Sequence, residues 1–158
     1  MPTRRNLLIG AGAVTVAAAA GAYALIPRTL PPARVFAEDG VAIRGTDPVA
    51  YFNDGAPMTG SAEYSHDWAG ATWHFASAEN RDAFAADPLA YAPQYGGFCA
   101  WAVAAKSELF STQPENWAIV DGKLYLNFND SVQETWDTDR AGFIEAADEA
   151  WPVITADL

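Results

Sequence analysis

The chain is poor in the residues that most often mark chemistry. It has one cysteine and two histidines in 158 residues. A single cysteine excludes an intramolecular disulfide. It leaves a free thiol, an intermolecular bridge, a ligand, or a buried inert side chain packed as a small hydrophobe. No G-x-S-x-G, H-E-x-x-H or C-x-x-C word occurs, and no glycine-rich phosphate cradle, so these enzyme classes leave no signature. Bases are scarce as well. From Glu38 onward only Arg44, Arg81, Lys106, Lys123 and Arg140 stand against twenty acids, a net charge of −15. Such a surface repels phosphate backbones, which argues against nucleic acid. It also argues against docking on anionic lipid. Solubility is the plain reading of this charge, and attraction of cations is compatible with it.

Acids are absent from the first 37 residues, where Arg4 and Arg5 precede an uncharged Ala/Gly-rich run from Leu7 to Ile26. This resembles a twin-arginine export signal. Small-x-small cleavage sites are present at Ala22-Tyr23-Ala24 and at Val35-Phe36-Ala37. Processing is favoured because the run is terminal, weakly apolar and preceded by bases. An uncleaved anchor is the alternative, since about 20 residues can span a bilayer. In both cases the body lies outside the cytoplasm, in the periplasm. The division expected is a leader and linker over 1–37 and one domain over 38–158.

Within the body, hydrophobic residues at 51% of the chain make one packed core feasible at this length. Pro27, Pro31 and Pro32 read as a linker. Val41 to Ile43 is a short strand. Asp47-Pro48 starts a short helix to Phe52, with Asp as cap and Pro at the first position. Ala62 to Phe75 reads as two strands around Asp67-Trp68-Ala69-Gly70. Ser77 caps a helix over Ala78–Ala86, and Asp87-Pro88 restarts a turn to Tyr91. Gly96-Gly97 punctuates, and a helix over Phe98–Ala105 follows. Trp117–Val120 and Lys123–Phe128 form a hairpin through Asp121-Gly122, a type I′ signal. A helix from Asp130 or Ser131 reaches Trp136. Asp139 begins the last helix, which is expected to end before Pro152. The fold class is α+β: a small antiparallel sheet with short helices packed on it.

Several whole words stand at characteristic spacing along the chain. They are Asp47-Pro48-Val49-Ala50-Tyr51-Phe52, then Phe75 to Arg81, Phe84, Asp87-Pro88, Tyr91, Tyr95 to Ala100, and Ile119 to Asn127. Together they resemble the exported branch of the YHS-domain family over roughly residues 38–152. The resemblance implies a small YHS-like domain, and its compact members are associated with heavy metals. Those members carry cysteines in an Asp-Pro-Val-Cys-Gly-Met word and a Phe-Cys-Ser-x-x-Cys word. Here Ala50, Ala76 and Asn80 stand at the three thiol positions. A metal bound by this chain therefore needs another donor set.

Cys99 anchors such a set. Near a helix start, unpaired N–H groups stabilise a thiolate, whereas Phe98, Trp101 and Val103 supply apolar bulk that opposes it. His66 and His74 are the remaining candidate metal ligands, on the two arms of the first hairpin. In alternation, His74 and Thr72 share one strand face and Trp73 and Phe75 the other. Met58 is a further soft donor for Cu(I). No catalytic residues are assigned. Glu145, Asp148 and Glu149 share one side of the last helix, as an ordinary solvated face does. The six tryptophans are spread as a core and its rim, and leave room for a small apolar pocket lined by some of them. The leading expectation is an exported, non-enzymatic binding protein that handles a transition metal, copper ahead of zinc. The alternatives are a metal-free structural or interaction module of an exported complex, with a protein partner, and a thiol-dependent redox protein.

Replacing Arg4 and Arg5 together with lysine is expected to hold the protein in the cytoplasm, as read by cell fractionation. Unchanged export of that double variant removes the twin-arginine assignment.

Overall fold

The computed structural model describes residues 35–156. The twin-arginine segment and the Ala22-Tyr23-Ala24 site lie outside the described residues. Among the described residues, no helix is long and apolar enough to cross a membrane.

Two strands come first among the described residues, β1 (Ala37–Glu38) and β2 (Val41–Ala42). A single 3-10 turn and α1 (Ala50–Asn53) follow. The first hairpin is β3 (Ser61–Trp68) and β4 (Ala71–Phe75), closed by Ala69 and Gly70, both at positive φ. These strands form one sheet in the order β1-β2-β4-β3, with β3 at its edge and a register slip between Ser61 and Ser65. The sheet is not purely antiparallel as expected. β2 runs parallel to β4 through the pairing of Val41 with Thr72, because α1 and β3 intervene and return the chain in the same direction. A second, two-stranded sheet holds β5 (Trp117–Val120) and β6 (Lys123–Leu126). Between and after these lie α2 (Ala78–Ala86), α3 (Pro88–Tyr91), α4 (Ala100–Lys106), α5 (Asp130–Asp137) and α6 (Arg140–Thr155).

Local chemistry explains most of these limits. Ser77 accepts from the Asn80 amide at 3.2 Å and caps α2, as its sequence implies. The helix α5 begins at Asp130, one of the two starts expected, and Asn129 caps it by accepting from Val132 N at 2.9 Å. Asp139 caps α6 through Gly142 N at 3.0 Å. That last helix continues through Pro152, contrary to expectation. Proline costs one helical N–H, but Trp151 and Ile154 on either side of it pack on the core and hold the final turn.

The boundary expected between residues 37 and 38 cuts through packed structure. Phe36 is buried, donates its N–H to Gly96 O at 2.9 Å, and its own carbonyl accepts from Ile43 N at 2.9 Å. Removing Val35 to Ala37 would strip a core aromatic and the first residue of β1.

Burial is divided between two clusters, and the β5–β6 ribbon is the wall between them. Leu124 and Leu126 enter a cluster with Trp73, Phe75, Phe84 and Tyr51. Tyr125, between them, enters the other with Tyr95, Val103, Trp136 and Ala147. In β5 the same alternation sends Trp117 and Ile119 one way and Ala118 and Val120 the other. An isolated two-stranded ribbon is marginal in water; here both faces are covered.

The ribbon turns on Asp121 (φ 50°) and Gly122 (φ 73°), the paired left-handed residues of a type I′ turn. A Cβ on Gly122 meets no atom within 4 Å, so a substitution there probes backbone conformation alone. Gly122→Val is expected to cost about 1 kcal/mol or more in urea unfolding, because a β-branched residue resists positive φ. Stability equal to that of the parent would show that the turn does not need its glycine.

Candidate functional site

The approach to Cys99 is set by three consecutive left-handed residues, Tyr95 (φ 54°), Gly96 (φ 63°) and Gly97 (φ 83°). Gly97 has no alternative: a Cβ there would lie 2.6 Å from Ile43 Cγ2. The chain then straightens. Phe98 and Cys99 are extended, with ψ of 161° and 114°, and Cys99 forms a parallel bridge with Leu126. The helix expected from Phe98 therefore starts at Ala100, with Cys99 as its cap residue. The Cys99 N–H is taken by Phe110 O at 3.0 Å, and its carbonyl accepts from Val103 N at 3.0 Å.

The Cys99 thiol is fully buried and donates to Asn127 Oδ1 at 3.5 Å. Both effects expected from the sequence act on it. Burial pushes its pKa up, and the backbone amides of Ala102, Phe128 and Trp101 pull it down. Burial wins, so the thiol is held protonated beyond its ordinary range. A thiolate nucleophile or ligand needs the opposite balance.

Asn127 organises this region, and sequence reasoning missed it. Its side chain is buried with every polar atom used. Oδ1 accepts from Trp101 N at 3.1 Å as well as from Cys99, and Nδ2 donates to Gln133 Oε1 at 3.0 Å. Its backbone N–H donates to Asn116 O and its carbonyl accepts from Gln113 N. The signal available was an amide side chain directly after the apolar run Leu124-Tyr125-Leu126, where alternation keeps the chain buried.

The histidines lie elsewhere. His66 is directly opposite Trp73 and His74 is opposite Ser65. Cross-strand partners share a face, so the two imidazoles point to opposite sides of the sheet. His66 packs edge-on against Phe84, with ring centroids 6.2 Å apart. His74 borders a surface depression with Glu38, Asp39, Arg44 and Gly60. At most one imidazole could therefore face Cys99 without refolding the hairpin. Met58 is on the surface, 41% exposed. Among the described residues, no group of three or more His, Cys, Asp or Glu side chains is placed to hold a metal ion. The three expected ligands are not brought together as a donor set.

A second buried polar centre is Asp47, read from the sequence only as a helix cap. Its side chain does cap, accepting from Val49 N at 2.8 Å and Ala50 N at 3.3 Å. Its other oxygen accepts from Ala76 N at 2.8 Å and Asn80 Nδ2 at 2.7 Å. Asp148 is a further acid with a specific partner. It accepts from the Tyr95 hydroxyl at 2.8 Å, and burial followed by this carboxylate raises the pKa of Tyr95.

No family model, curated protein or solved structure matches the chain.

Asn127→Ala is expected to destabilise the fold by about 2–4 kcal/mol in urea, because it strands the Trp101 amide and the Cys99 thiol in the interior. A loss below about 1 kcal/mol would show that solvent or other groups satisfy those donors.

Proposed function

We propose that the chain is a non-catalytic interaction module of an exported assembly, a YHS-like domain that holds a protein partner and keeps Cys99 as packed interior. The observation that carries this reading is the state of the thiol. It is buried, held protonated, and engaged with Asn127. Export is supported by Arg4-Arg5 ahead of the uncharged run and by the acidic body.

The YHS-like reading gains support from Asp47. Ala50, Ala76 and Asn80, the positions that carry thiols in the compact members, all donate to this one carboxylate. Positions far apart in sequence converge on one point, as three ligands of one site would. Here an aspartate fills that point, and the three positions offer two amides and a carboxamide in place of sulfur. A copper or zinc site anchored on Cys99 would need more: the sulfur must leave Asn127, and one imidazole must swing out of its place on the hairpin.

Two measurements on the folded chain test the proposal. A bulky aromatic disulfide reagent is expected to leave native Cys99 unmodified and to modify one thiol per chain after unfolding in guanidinium. The native inertness extends through the ordinary thiol range, because a raised pKa keeps the protonated form as pH climbs. Cu(I) titration against a competing chelator is expected to be the same for the parent and Cys99→Ser. One equivalent of copper bound by the parent and lost in the variant would overturn the module reading in favour of metal handling. Rapid native labelling would overturn it in favour of thiol redox chemistry.

A further inference from the structure

The two hydrophobic clusters do not close completely on one another. A cavity of about 160 Å³ lies at their seam. Trp68 and Trp73 of the first hairpin form one wall, with ring centroids 5.9 Å apart. Tyr95 and Trp151 form the other, 5.8 Å apart. Leu89, 65% exposed, and Gln94 also line it. Neither Cys99 nor either histidine belongs to this cavity, so its chemistry is independent of the role given to the thiol.

We propose that this seam is a binding site for a small planar aromatic molecule of a single ring carrying one hydrogen-bonding substituent. Size sets the first limit. Pockets for drug-sized ligands run to roughly 300–1,000 Å³, whereas an apolar cavity of about 150 Å³ takes a benzene ring. The walls set the chemistry. Four aromatic side chains from two clusters supply ring faces and edges, which favour another ring in tilted contact. Polar groups set the orientation. The Tyr95 hydroxyl is engaged by Asp148, and the Trp73 N–H donates to Trp68 O at 3.0 Å. Gln94, which also lines the cavity, carries a carboxamide that can serve as donor and acceptor for a polar substituent.

The wall is also held in advance of any ligand. Tyr95 adopts a left-handed conformation that costs an ordinary residue about 1–2 kcal/mol. Its hydroxyl anchors to Asp148 at 2.8 Å and to Ile144 O at 3.3 Å, which fixes the ring against α6. Backbone strain kept in place by a specific bond at a cavity wall is the arrangement of a preformed site.

The six tryptophans provide the readout. Three line the cavity and three, Trp101, Trp117 and Trp136, do not. Phenol titrated into the ¹⁵N-labelled full-length chain is expected to shift the indole N–H peaks of Trp68, Trp73 and Trp151 together and to saturate. The other three should stay in place. Gln94→Ala should weaken phenol by about three- to tenfold, the worth of one hydrogen bond, and toluene by less than about twofold. Shifts spread over all six indoles, or none that saturate, overturn the site. Equal weakening of phenol and toluene in Gln94→Ala overturns the polar recognition. Either result leaves the thiol and copper measurements untouched, so the two readings fail separately.

Discussion

The fold depends on one buried carboxylate. Asp47 lies in the interior, where an acidic side chain costs several kcal/mol unless its oxygens are satisfied. Four N–H donors satisfy them, from the start of α1, the end of β4 and the first turn of α2. The two sides of this cluster, Asp47 and Ala76, are 29 residues apart in sequence, so the carboxylate sets the angle at which α1 meets the first hairpin. Tyr51, one residue into α1, is thereby aimed at the second half of the chain. Its ring packs on Trp117 and its hydroxyl donates to Pro114 O at 2.9 Å.

The second half is arranged around the β5–β6 ribbon, which gives one side chain in two to each cluster. Such a ribbon has no solvent face and therefore no tolerance for a one-residue slip, which would exchange leucines for Tyr125 across the wall. Asn127 sits where the ribbon ends and binds it to α4, α5 and the Cys99 segment. Asp47 and Asn127 thus play parallel parts in the two halves. Each is a polar residue fully enclosed, and each is saturated with partners from several elements.

Features governed by neighbours in sequence were legible in advance. The Ser77 cap, the Asp121-Gly122 turn and the face alternation of His74 and Trp73 are decided within a few residues by φ preference, side-chain reach and the strand period. Features governed by distant partners were not. The cap role of Asp47 was readable, but its second oxygen binds Ala76 and Asn80, which only the tertiary fold brings near. The start of α4 was misplaced because Phe98 and Cys99 are extended by Phe110 and Leu126, far along the chain. Pro152 marked a helix end by local rules, yet packing around Trp151 carried the helix past it. The opposed influences on the Cys99 thiol were visible from its neighbours, while the balance between them required the burial that the whole fold imposes.

The edge strand β3 bears on a different matter, the behaviour of many copies held at high concentration. Eight residues long, it has no strand partner on one side of its backbone among the described residues. Long flat edges of this kind invite a second chain to add as the next strand. Here the slip between Ser61 and Ser65 interrupts the regular ladder, and Glu63 and Asp67 project exposed carboxylates along it. A second copy docking in register would set like charges close together. The irregularity in β3 and the carboxylates along it thus disfavour edge-to-edge self-assembly, a local resistance added to the general repulsion between acidic domains.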